Sequence, residues 1–525
     1  MSFAKVYSAQ TSMLKAHAVD VEVDIANGLH AFTVVGLGDK AVEESKDRIS
    51  AAIKNSGFNF KSPKSKNQKV TISLAPADVK KEGPIFDLAI ALAYLLAAGE
   101  IFFTPERKLF LGELALDGEL RKVNGVLPLV DWAKKNGFKE VYVPVPNVEE
   151  GALIGGVSVY GVRNLKDAIN HLHEKNTIGK DENKKDHVPV TLTPEKRTKI
   201  VYKPSGTAID FCDIKGQNTA KRGLEIAASG GHNIAMYGPA GTGKTMLAKA
   251  FAHILPPLNF EEILETTGIH SVAGALNNDL VTESPFRSPH HTSSYVSLVG
   301  GGTYPKPGEI TLAHNGVLFL DEFPEFERRV IDSLRQPLED RVVSISRARG
   351  STQFPASFIL VAAMNPCPCG NHGIAGKRCV CSPISIERYK RKISGPIIDR
   401  IDLWLEVSKV EHEKLTEKNS TVETSESIKQ KISKARKIQM DRFKKTKGRV
   451  KTNGEMTAKD IESFIDLSDT IKDLLNSTAK AFDLSARSYH RLIKISRTIA
   501  DLEGHDEIEK DDLMEAIQYR PKIHD

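Results

Sequence analysis

The stretch Gly238-Pro239-Ala240-Gly241-Thr242-Gly243-Lys244-Thr245 decides how the chain is read. It fits G-x-x-x-x-G-K-[ST], the pattern of a loop that cradles nucleotide phosphates. Asn233-Ile234-Ala235-Met236-Tyr237 before it reads as a short buried strand. Met246, Leu247, Ala250, Phe251 and Ile254 after it repeat at helical spacing. Glycines let backbone amides approach an anion, and the helix N-terminus adds partial positive charge. Lys244 is expected to reach the β- and γ-phosphates and Thr245 to hold Mg²⁺, so ATP and Mg²⁺ are the expected cofactors.

Two further apolar strands follow at the spacing such a site needs. Gly316-Val317-Leu318-Phe319-Leu320-Asp321-Glu322 ends in two acids. Asp321 suits Mg²⁺ binding through water, and Glu322 suits polarising an attacking water. Phe358 to Met364 ends at Asn365, and Gly395 to Asp402 contains Arg400. This order resembles the AAA+ ATPases. The resemblance implies that Asn365 orients water near the γ-phosphate and that Arg400 is an arginine finger acting on a neighbouring subunit. For Arg400 the alternative is an ion pair with Asp399 or Asp402. Arg487 matches the sensor 2 arginine, with Arg491 one turn on as the alternative.

With 525 residues, the chain is expected to form roughly two to four domains. Its composition, 40% hydrophobic and 27% charged, is that of a globular protein. No apolar run reaches the roughly 18 residues of a membrane span, and the start lacks a signal-peptide pattern, so no membrane partner and a cytoplasmic location are expected. A net charge of +6 is too mild to identify nucleic acid as a partner. Cys212 reads as a small buried residue. Cys367-Pro-Cys369 and Cys379-Val-Cys381 suit tetrahedral Zn²⁺, although C-x-C is tighter than the usual C-x-x-C. His372 could replace one thiolate, and unmetallated loop cysteines are the alternative.

Residues 1–172 read as an α+β domain: strand-like alternation at 21–25 and 31–35, a helix at 41–56, a strand at 69–74, and an apolar helix at 86–98. Asp117-Gly118 marks a hairpin. A helix at 127–136 and a strand at 140–144 follow. Lys81-Glu82-Gly83-Pro84, Gly112-Glu113 and Gly125 resemble the proteolytic domain of Lon proteases, of the ribosomal S5 domain 2-like fold. The serine position of that dyad is Ile85 here, and Val126-Leu127-Pro128 stands where the lysine lies. Apolar side chains cannot perform that chemistry, so a domain lacking the catalytic dyad is expected.

Residues 173–205 are polar and read as a linker. The ATPase core is expected at 206–406 and a helical lid at 407–525. Lys434, Arg436, Lys437, Arg442, Lys444, Lys445, Lys447 and Arg449 form a basic stretch. It is either a solvated helix face or a DNA-facing stripe.

Between the phosphate loop and the acidic strand lie Pro285-Phe286-Arg287-Ser288-Pro289-His290-His291 and Gly300-Gly301-Gly302. Adjacent histidines rarely face one ion, so hydrogen bonding is expected of His290 and His291. Arg341 to Gly350 alternates like a hairpin strand. With Ala313-His314-Asn315-Gly316 and Asn365-Pro366-Cys367-Pro368-Cys369-Gly370, these segments resemble the magnesium-chelatase-like AAA+ family, in its YifB-like competence branch. The likeness runs over nearly the whole chain. It implies an α/β P-loop core with a helical C-terminal lid, a nucleotide-dependent hexamer, and a pre-sensor hairpin projecting into a pore. It further implies branch migration of single-stranded or branched DNA during natural transformation, with Arg347 and Arg349 meeting the phosphates. A chelatase-type remodeller acting on a protein partner is the alternative.

Overall fold

The computed structural model describes residues 2–12, 14–64, 68–173, 191–202, 209–276, 280–302, 306–347, 350–373, 377–410, 423–446 and 449–521. Most of the expected linker, 174–190 and 203–205, lies outside these residues, as do 206–208 and Arg349. Among the described residues no helix is long and apolar enough to cross a membrane.

The chain forms two compact units. The first comprises Met1–Val201 with Phe260–Val281, a piece from beyond the phosphate loop. Its seven-stranded sheet runs Ala31–Val35, Gln68–Ala75, Lys15–Asn27, Phe3–Ser12, Lys108–Phe110, Glu140–Pro144, Ser158–Val162. Val19, Val21 and Val23 alternate inward along Lys15–Asn27 and are fully buried. Helix Asp87–Ala97 is apolar all round and buried on nearly every face, as that pattern requires. Glu113–Leu114 pairs with Leu120–Arg121 around Asp117-Gly118, as the sequence anticipates. Ile85, Val126 and Leu127, the apolar residues singled out in the sequence, are buried.

Helix Phe260–Ala273 is bonded into this unit by a buried polar cluster. Ser271 Oγ donates to Glu150 Oε2 at 2.6 Å and accepts the Gly125 N–H at 3.0 Å. Asn147 donates to the other Glu150 oxygen at 2.7 Å, and the Leu127 N–H reaches Oε2 at 3.3 Å. Burial raises the pKa of Glu150 against these donors.

The second unit comprises Tyr202–Asn259 and Thr282–Asp525. Its parallel five-stranded sheet runs Phe286–Arg287, Val317–Leu320, Ile359–Met364, Ile234–Tyr237, Leu403–Glu406. The central strands are buried on both faces, which accounts for their unbroken apolar runs. Helices Asn218–Gly230 and Lys244–Ile254 add Leu224, Leu247 and Phe251 to the core. The C-terminal helices Ser425–Phe443, Ala458–Phe464, Asp469–Ala481, Ala486–Glu503 and Lys510–Gln518 share that core through Ile432, Leu475, Ile495, Ile499 and Leu513. Gly504, in the left-handed region at φ 82°, ends the longest helix of the last three where the sequence predicts.

Much of the basic stretch is committed within the molecule. Arg436 donates to Ala228 O at 2.7 Å. Arg442 clamps the buried Asp501, Arg449 pairs with Asp460, and Lys444 pairs with Asp441 at 2.7 Å. Lys447 lies outside the described residues.

Candidate active site

The phosphate loop joins the strand Ile234–Tyr237 to the helix Lys244–Ile254. Gly243 sits at φ 89°, a conformation that favours glycine. A Cβ on Gly238 would stand 2.1 Å from Val407 O, so only glycine lets this turn pass the neighbouring strand. Thr242 Oγ1 donates to Pro239 O at 3.0 Å and braces the loop. Pro239, Ala240 and Gly241 complete it.

Lys244 is buried at the helix start, its ammonium donating to Gly238 O and Pro239 O, each at 2.7 Å. It also donates to Asn365 Oδ1 at 3.2 Å. Burial lowers its pKa, opposed by the Asp321 charge. Thr245 Oγ1 donates to Asp321 Oδ2 at 2.9 Å. The loop, the acidic strand end and Asn365 thus meet at one spot, along sheet edges that the order of strands brings side by side. A hydroxyl and a carboxylate at this separation are hard oxygen ligands of the kind Mg²⁺ takes.

Glu322 has a left-handed backbone, φ 52°, unusual for a non-glycine residue and costing about 1–3 kcal/mol where a fold enforces it. His291 Nδ1 lies 3.0 Å from Glu322 Oε2. His290 Nδ1 meets Thr292 Oγ1 at 2.8 Å, and the two imidazoles lie 4.2 Å apart. Hydrogen bonding is indeed what these histidines do. What the sequence does not disclose is that His291 holds the candidate base, because nothing in a local pattern ties residue 291 to residue 322.

Arg400 departs from the ion-pair alternative. It donates to Pro396 O at 2.7 Å and pairs with Glu339, not with Asp399 or Asp402. Arg487 NH2 stands 3.5 Å from the other Glu339 oxygen. The two guanidiniums hold Glu339 below its ordinary pKa, Arg400 foremost. Arg491 is buried, donates to Asp399 O at 2.6 Å and faces Asp402 at 3.9 Å.

The strands Val342–Arg347 and Gly350–Pro355 form the hairpin expected before Asn365, with Val343, Ile345 and Phe354 buried. Arg347 pairs across from Gly350 at its end. A second small hairpin, Gly300–Gly301 with Lys306–Pro307, packs near it: a Cβ on Gly300 would lie 3.1 Å from Ile345 Cδ1.

Cys367, Cys369, Cys379 and Cys381 converge, their sulfurs all within 4.8 Å of one another. Cys367 Sγ lies 3.4 Å from Cys369 Sγ and 3.8 Å from Cys379 Sγ, and Cys369 to Cys379 is 3.6 Å. Thiolates at about 2.3 Å from a tetrahedral zinc stand about 3.8 Å apart, so this donor set fits that ion. All four are free cysteines.

Three family models match the chain. "Magnesium chelatase, subunit ChlI" covers residues 210–415, "Subunit ChlI of Mg-chelatase" 21–147, and "Magnesium chelatase, subunit ChlI C-terminal" 422–520. The chain is 41% identical to the competence protein ComM of Haemophilus influenzae, over all of this chain and 98% of that one. It is 39% identical to YifB of Escherichia coli over 99% of this chain and 97% of that one. Lon protease 2 of Bacillus subtilis is 31% identical over 28% of each chain.

Proposed function

Because the chain belongs to the magnesium-chelatase-like ComM and YifB family of AAA+ ATPases, we propose that it is an ATP-driven, hexameric DNA motor that migrates branched DNA during natural transformation. Membership makes it an ATPase working with ATP and Mg²⁺. The likeness to a competence protein over its full length supports the transformation reading.

One observation carries the mechanism. Lys244, Thr245, Asp321 and Asn365 gather at the phosphate loop, whereas Arg400 and Arg487 gather on Glu339. In this reading each protomer supplies one half of a site and completes its neighbour's. Lys244 leaves the Gly238 and Pro239 carbonyls for the β- and γ-phosphates, and Thr245 with Asp321 holds Mg²⁺. Glu322, steadied by His291, orients the attacking water, and Asn365 positions it from the adjacent strand. Arg400 and Arg487 exchange Glu339 for the phosphates across the seam, where charge spreads in the transition state. The two packed hairpins carry the motion to DNA, and Arg347 and Arg349 meet the phosphates without reading bases.

The test is ATP turnover with and without single-stranded, duplex and branched DNA. Stimulation by branched DNA supports the motor. Turnover indifferent to every DNA but raised by a porphyrin-loaded partner protein would replace it with a chelatase-type remodeller.

A further inference from the structure

The four cysteines are not remote from the chemistry. Cys367 follows Asn365 by two residues, and the turn that carries it passes against the phosphate loop. A Cβ on Gly370, at φ 75°, would stand 3.8 Å from Ala240 N and Cβ and 4.0 Å from Asn365 Cγ. The cluster's other pair leads into the helix Pro383–Lys390, capped by Ser382. That helix carries the buried Tyr389. Asn365 therefore stands two residues from one ligand pair, on a turn packed against the phosphate loop, and the other pair runs into the helix that carries Tyr389.

One of the sulfurs accepts a backbone donor. The His372 N–H points at Cys367 Sγ at 3.3 Å. Backbone donors of this kind neutralise the charge of a sulfur that binds a metal and fix its direction. Among its described residues the segment from Asn365 to Cys381 contains no helix or strand, so the positions of the cysteines depend on what ties the two pairs together. A tetrahedral ion with four ligands from two pairs does so.

We propose that Cys367, Cys369, Cys379 and Cys381 bind one Zn²⁺ and that this ion is a positioning element of the ATPase, fixing Asn365 against Lys244 and the phosphate loop. The coupling rests on the ATPase reading, and the metal site does not. Zinc takes no part in the reaction; it holds the Asn365 amide where the attacking water is oriented. Loss of the ion lets Asn365 drift, and a misplacement of about 1 Å at such a group costs about 100-fold in rate. Nucleotide affinity, set by Lys244 and the loop amides, stays close to its starting value.

The experiment uses the full chain, purified without chelators. Elemental analysis is expected to find about one zinc per chain. Cys379→Ser should lose the metal, keep its ATP Kd within about 2-fold, and lose about 100-fold in kcat. Cys379→His, which restores a common zinc ligand, should regain both metal and turnover. Should Cys379→Ser fail to fold, the wild-type chain loaded with Co²⁺ serves instead. Its tetrahedral thiolate spectrum should shift on adding Mg²⁺ and ATP, and Asn365→Ala should abolish the shift while ATP still binds. A wild-type chain without zinc overturns the site. Zinc-free Cys379→Ser with wild-type kcat, or a cobalt spectrum blind to bound nucleotide, overturns the coupling. A metal-loaded chain that binds ATP, shifts the cobalt spectrum and never hydrolyses would instead count against the proposed motor.

Discussion

Arg442 is the sharpest place to separate a structural cation from a DNA-binding one. It lies in the basic stretch, yet its side chain is only 16% exposed and Asp501 beneath it is wholly buried. Arg442 NH1 donates to Asp501 Oδ2 at 2.9 Å and to Asn453 Oδ1 at 3.0 Å, and NH2 donates to Asp501 Oδ1 at 2.5 Å. Breaking a buried ion pair costs about 3–5 kcal/mol. Asp501 keeps Arg497 at 3.0 Å and Asn453 at 2.8 Å, so Arg442→Ala belongs at the low end, about 3 kcal/mol. At about 2 °C per kcal/mol for a unit of this size, the melting temperature should fall by about 6 °C. Differential scanning calorimetry reads this directly. In parallel, the slope of log affinity for DNA against log salt should not change, because a lost phosphate contact would lower it by about 0.9. Lys437, exposed on the same helix, provides the contrast: Lys437→Ala should leave melting within about 0.5 kcal/mol. An Arg442→Ala chain that melts like the wild type but loses salt dependence would refute the assignment and return Arg442 to a DNA-facing stripe.

Three further outcomes follow from the site and its frame. Lys244→Ala should weaken ATP binding by roughly 30- to 150-fold, about 2–3 kcal/mol, since two charge-assisted phosphate bonds are lost but three existing bonds no longer need breaking; calorimetric titration checks it, and wild-type affinity would remove Lys244 from the phosphates. His291→Ala should lower kcat about 10-fold with ATP affinity unchanged, because Glu322 loses its 3.0 Å partner but the loop is untouched; a change in affinity alone would contradict that role. Arg449 and the Thr457 cap hold Asp460 below its ordinary pKa of 3.8. Its contribution to stability is therefore full above about pH 4 and is lost as pH falls below that, so Asp460→Asn should flatten the acid limb of the melting profile; an unchanged limb would show that the pair contributes nothing.

The phosphate loop, the Asp321-Glu322 strand and the Asn365 strand are legible in the sequence because each is a short local pattern with a fixed physical reason. That Ile85 and Val126 bring no nucleophile or base is equally plain, since both are apolar whatever surrounds them. Long-range pairings are not legible. Nothing near residue 400 announces Glu339 as the partner of Arg400, and nothing near residue 291 announces Glu322. Helix Phe260–Ala273 belongs with the first unit through Ser271, Glu150 and Gly125, a buried polar cluster that apolar periodicity does not register. How much of the basic stretch is paired within the molecule is not legible either, because charge counts do not show which carboxylates lie opposite.

A nucleotide held at a seam between two protomers is tested most directly by the ATP turnover of an equal mixture of Arg400→Ala and Glu322→Gln chains with branched DNA present. Each variant alone should be nearly inactive. In mixed rings a Glu322→Gln protomer lends its intact Arg400 to an Arg400→Ala neighbour whose Glu322 is intact, so the mixture should recover a substantial fraction of wild-type turnover. A mixture as inactive as its parts, in protein shown to have exchanged subunits, would contradict the shared site.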